Sequence, residues 1–205
     1  MFQDTYTRLK SAETQSLIKD TSGLFDGVSF HPDHTVIMAR DLSFYPGTRF
    51  LDMADHTHMP AARRFVLQKK DDFVVLDFTN APLYALNTRC PVRLDKHTVT
   101  DYVRFFFQFV RGRHGRFLIV ESVDDIQWRE DPPPAARRAI GKLIQPLTSM
   151  PSDSSEKVFH LQSQMIFKDS LFQSDITVTD SGMVSLLNEK LLVEDLPVLD
   201  DVFGQ

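Results

Sequence analysis

Four histidines and their neighbouring aspartates are the residues best suited to chemistry by type and spacing. The stretch "HPDH" carries His31, Asp33 and His34, and "DMADHTHMP" carries Asp52, Asp55, His56 and His58. Neutral imidazoles beside carboxylates suit zinc, iron or nickel. Four ligands would converge if the loops before and after the strand at 35–45 lay at one end of a sheet. The spacing does not match the HExxH metal motif, which needs a glutamate and a helical i,i+4 pair. Pro32 also makes His-x-x-His a turn rather than a helix face. The expectation is therefore solvated loops and no cofactor, with a metal site at His31, His34, His56 and His58 as the alternative.

A second cluster is the turn "RGRHGR", with Arg111, Arg113, His114 and Arg116 around two glycines. Glycines permit a left-handed turn whose amides can cradle an anion, and arginines add bidentate contacts to phosphate or carboxylate. The competing reading is a cationic helix terminus that complements the macrodipole. A third cluster is Asp77, Glu121, Asp124 and Asp125, acids at the ends of apolar runs, where two carboxylates can hold magnesium. Loop solvation and helix capping are the usual fate of such acids. The segment "FVVLDFTN" resembles the strand-Asp of haloacid-dehalogenase phosphatases at Asp77 only. Thr79 stands where that family has its second Asp, and no matching Lys motif follows. Cys90, in "NTRCPV", has no base placed beside it by the sequence, and thiol catalysis needs one. No nucleophile elbow, P-loop or dinucleotide fingerprint is present.

The elements that must position these residues come from the hydrophobic pattern. "TVTDYVRFFFQFVRGRHG" has one thin wet stripe (Thr100, Arg104, Gln108, Arg111), so it predicts a helix buried around most of its circumference, with Thr98 as N-cap and the glycines ending it. "RFLIVES" (116–122) is continuously apolar and predicts a strand in the middle of a sheet. "RRFVLQKKDDFVVLDFTN" predicts a hairpin, and "TVIMARDLSFY" a strand pair or one bent strand. "DPPPAARRAIGKLIQP" predicts a helix capped by Asp131 and ended by Pro146. "TSMPSDSSEK" (148–157) reads as a linker. "KVFHLQSQMIFKD", "LFQSDITVTDS" and "MVSLLNEKLLV" predict a three-strand meander. "LLVEDLPVLDDVFGQ" reads as a last strand and a tail folded on the body.

The sum is an α+β fold: a largely antiparallel curved sheet, helices packed on one face of it, and a C-terminal three-strand meander. The order suits cystatin-like or NTF2-like architecture, by analogy of element order alone. Residues 1–27 read as an arm or short helix and 28–205 as a single domain, the alternative being subdomains at 28–149 and 150–205.

Composition bounds the function. The chain has 205 residues, one cysteine and 17 Phe against 4 Tyr and 1 Trp. A lone cysteine excludes an intramolecular disulfide and fits a reducing compartment. No signal peptide or membrane span is visible, so a soluble, cytoplasmic protein of bacterial type is expected. The net charge of −5 falls between Ile176 and Gln205, where six acids face one base. Nucleic acid is therefore not an expected partner. Surplus Phe and an acidic apolar tail point to a non-enzymatic binding or interaction module, a homo-oligomer or a protein with another protein partner. The rival is a small enzyme acting on an anionic molecule through the His/Asp loops or the strand-end carboxylates.

Overall fold

The computed structural model describes residues 6–151 and 158–199. In chain order the elements are β1 (Thr7–Arg8), α1 (Ser11–Thr21), β2 (Thr35–Asp41), β3 (Arg49–Asp55), β4 (Ala62–Lys69), β5 (Asp72–Leu76), α2 (Ala81–Arg89), α3 (Thr98–Phe109), β6 (Phe117–Val120), α4 (Pro134–Gly141), β7 (Thr148–Met150), β8 (Val158–Phe167), β9 (Ser170–Thr179) and β10 (Val184–Val193). The fold is α+β and ends in the antiparallel meander β8–β9–β10. The strands divide between two antiparallel sheets. One runs β1-β2-β3-β4-β5, the other β10-β9-β8-β6, with β7 also on β8.

Side-chain alternation explains why two sheets share one interior. Phe50 of β3, Leu67 of β4 and Leu76 of β5 point from the first sheet onto α3. Leu161, Met165, Ile176 and Val178 reach it from the second, and Leu83 and Leu86 of α2 complete the cluster. The alternate residues Ile37, Ala39, Leu51, Met53 and Val66 form the first sheet's other face, covered by Leu17 of α1, Phe25 and Phe30. The second sheet's outer face packs Val120, Ile166 and Leu171 against Ile140 and Ile144. The tail belongs to that cluster. Leu196 and Val198 are buried, and Trp128 bridges Val198.

The helix α3 buries Val99, Tyr102, Val103, Phe105, Phe106, Phe107 and Phe109. The surplus Phe is largely here: Phe105 meets Phe109 at 4.7 Å, Phe44 at 5.4 Å and Phe50 at 5.6 Å between ring centres. These tilted and edge-on geometries suit aromatic quadrupoles.

Several local expectations change. "DMADHTHMP" is not wholly loop, since Asp52 to Asp55 belong to β3. Among the described residues the strand β6 pairs only with β8 and so stands at an edge, not in the middle. Both its faces are nonetheless covered, by the inner cluster at Phe117 and Ile119 and the outer at Leu118 and Val120. An edge strand between packed layers is as apolar as a central one. At α3 the N-cap is His97, and Asp95 holds the first turn by accepting the His97 and Thr98 amides at 2.7 and 2.8 Å. At α4 the N-cap is Pro133, without a side-chain hydrogen bond, so Asp131 caps nothing. The presumed linker begins as the strand β7, and its residues 152–157, like the tail beyond 199, lie outside the described residues. No helix among the described residues is long and apolar enough to cross a membrane.

Candidate functional site

A pocket of about 460 Å³ opens beside α3, lined by arginines, carboxylates and an apolar wall. Arg40 reaches it from β2. Ile37 and Ala39 face away from α3, so strand alternation turns Arg40 inward, where it is only 5% exposed. Its guanidinium lies 5.4 Å from the Tyr6 and Phe50 ring centres and 5.7 Å from that of Phe105. Burial lowers its pKa to about 10, against the restoring charge of Asp101, so it stays cationic at neutral pH.

Arg104 comes from the wet stripe of α3. It grips Glu121 with two parallel bonds, Nε to Oε2 at 2.9 Å and Nη2 to Oε1 at 2.8 Å, and donates a third to Asp101 at 3.2 Å. The Leu147 amide also donates to Glu121 Oε1, at 3.1 Å. Burial alone would raise the Glu121 carboxyl, but Arg104 and that amide hold it below the usual glutamate range. Arg116, Phe107, Gln108, Leu118, Ile119 and Tyr6 complete most of the lining.

The third cluster is thus partly assembled. Glu121, Asp124 and Asp125 line the pocket, whereas Asp77 does not. Asp77 instead shapes the entry to α2, accepting the Thr79 amide at 2.9 Å and hydroxyl at 2.7 Å. Asp125 caps the short 3₁₀ turn Val123–Asp125, accepting the Glu121 and Ser122 amides at 2.9 and 2.8 Å. Asp124 pairs with Arg137.

The "RGRHGR" cluster is split. Arg111 lies over Phe78, 4.2 Å from the ring centre, while Arg116 faces the pocket. Arg113 and His114 are exposed at the tip. The Gly112 and Gly115 amides donate across the turn to each other's carbonyls, at 2.8 and 3.3 Å, so neither is aimed at an anion.

The two histidine stretches do meet in space, because Thr35 pairs with Asp55 across β2 and β3. The rings of His31 and His34 are 4.9 Å apart, and the His56 amide donates to the His34 carbonyl at 3.2 Å. The carboxylate between the loops is Asp55, 0% exposed. It accepts the His31 amide at 2.5 Å and the Thr57 amide and hydroxyl at 2.8 and 2.7 Å. Burial works to raise its pKa, but these donors prevail and set it at about 2. His31, His34, His56 and His58 are all exposed. No group of three or more His, Cys, Asp or Glu suited to a metal exists among the described residues.

Sequence reasoning missed Tyr6, Arg40 and Arg104 as site residues. For Arg40 a signal exists: a cation on the inward phase of a strand needs an inward partner or a pocket. No family model, curated protein or solved structure matches the chain.

Proposed function

We propose that the chain is a non-catalytic binding protein whose pocket takes a small anionic molecule with an apolar body. The observation that carries this reading is three guanidiniums, Arg40, Arg104 and Arg116, around one pocket with Tyr6, Phe107, Leu118 and Ile119, while the three carboxylates of the same lining are engaged, Glu121 by Arg104, Asp124 by Arg137 and Asp125 by backbone amides. Its volume, about 460 Å³, suits a small-molecule site. A guanidinium has five N–H donors, so one that holds a carboxylate can still address a second anion. Binding is favoured over catalysis because a general base works best with a pKa near the operating pH. Glu121 is held well below that, and Asp125 is committed to backbone amides.

Thermal melts with benzoate against chloride at matched ionic strength test the proposal. Benzoate is expected to raise Tm in the parent and in Arg113→Ala, and to have no specific effect in Arg116→Ala. No benzoate-specific shift in the parent, or a shift lost in Arg113→Ala but kept in Arg116→Ala, would refute it.

We further propose pairing with a second copy, in a reducing, cytoplasmic setting. The edge strand β10 leaves Leu187 46% and Leu191 42% exposed, which supports a covering partner. Light scattering over a wide dilution range is expected to show a dimer that dissociates, and a monomer at every concentration would refute it.

A further inference from the structure

Lys69 and Cys90 are brought together by two separately anchored elements. Lys69 ends β4, where it pairs with Asp72 across the hairpin to β5. Cys90 is the C-cap of α2, its amide donating to the Leu86 carbonyl at 2.7 Å. The preceding Arg89 pairs with Asp72 at 3.3 Å, which ties the end of the helix to the same hairpin. The outcome is Lys69 Nζ at 2.8 Å from Cys90 Sγ. Lys69 thus donates a close hydrogen bond to the Cys90 sulfur, which holds nitrogen and sulfur within reach of each other. Cys90 is 8% exposed, at the margin of the core, and Lys69 is half-buried.

We propose that Lys69 and Cys90 are an oxidation site at which a peroxide joins β4 to α2 through a nitrogen–sulfur bond. The Cys90 sulfur attacks a peroxide oxygen and the O–O bond breaks. Sulfur loses two electrons to become a sulfenic acid, and the peroxide is reduced, leaving as water. A sulfenic acid condenses with a nearby thiol or nitrogen. This chain has no second cysteine, so the partner is the Lys69 amine. Its ammonium cedes one proton to water, and the nitrogen lone pair attacks sulfur. The S–O bond breaks, and the hydroxyl leaves as water with a second nitrogen proton. One amine, one thiol and one peroxide thus give one sulfenamide and two waters. An added thiol reverses the link by attacking sulfur and returning the amine. The crosslink closes a loop across 21 positions and restrains the unfolded chain.

The test treats the full-length chain with hydrogen peroxide and follows intact mass, peptide maps and Tm. The expected product is two hydrogens lighter, yields a joined peptide containing Lys69 and Cys90, melts a few degrees higher, and regains its starting mass in dithiothreitol. Neither Lys69→Arg nor Cys90→Ser gives that product. Lys69→Arg keeps the cation, and its melting point before treatment reports that folding is intact. Oxygen addition to Cys90 without a joined peptide, an unreacted thiol, or the same joined mass in Lys69→Arg would each overturn the proposal.

Discussion

Asp55 closes β3 in the first sheet and Glu121 follows β6 in the second, and each carboxylate is held below its ordinary pKa by different partners. Asp55 is held by N–H and O–H donors of its own loops, at His31 and Thr57. Glu121 is held mainly by a side chain from another element, Arg104 of α3. The first arrangement uses the charge to fix backbone, leaving the histidines around it in solvent. The second places an ion pair in the wall of a pocket, where a ligand can compete for the guanidinium. A carboxylate among histidines is thus the one that fixes backbone here, and a carboxylate beside a helix is the one in the pocket wall.

The largest effect expected from this contrast is in Asp55→Ala. It strands the partly buried His31 and Thr57 amides and should cost about 2–3 kcal/mol, read as a lower midpoint in urea. The same residue predicts a pH dependence. Its folded pKa of about 2 lies below the unfolded value of about 3.9, so the stabilisation is full above that value and fades as pH falls toward 2. Melts from pH 5 to pH 2 should therefore show an extra loss in the parent that Asp55→Asn lacks. Equal acid sensitivity in both would place the stabilisation elsewhere.

A smaller effect is expected in Glu121→Gln. The pair is partly exposed, so the change should cost about 1–2 kcal/mol. It should also take one of the carboxylates off Arg104, which keeps Asp101, and tighten benzoate binding severalfold, as titration calorimetry would show. Weaker binding would mean that Glu121 itself orients the ligand. The smallest effect is expected in the double variant His31→Ala, His34→Ala. The amide of residue 31 still reaches Asp55, so stability should stay within about 0.5 kcal/mol of the parent. A large loss would break the contrast by showing that the imidazoles take part.

Periodicity made much of the fold legible. The wet stripe of Thr100, Arg104 and Gln108 marked α3, and turn residues marked the β4–β5 hairpin and the meander. The strand β3 was hidden because Asp52 and Asp55 lie within it. One pairs across the sheet with Arg63 and the other turns back to its loops, so acids that read as loop are satisfied inside a strand. Short α2 was missed because nine residues beside a hairpin carry little periodic signal. The pocket was legible only in pieces. Glu121, Asp124, Asp125 and Arg116 were singled out from short local stretches, whereas Arg40 and Tyr6 join them only through tertiary packing.

The placement of α3 between the sheets has a consequence for how the chain unfolds. Both sheets bury their inner faces against the same helix, so neither keeps a complete interior once the helix is gone. Denaturation of this body should therefore be a single cooperative event, with fluorescence and far-ultraviolet signals superimposing. Its central contacts join Phe50, Phe105 and Met165, which are far apart along the chain. Such loops must close before burial repays them, so refolding should be slow for a protein of this length.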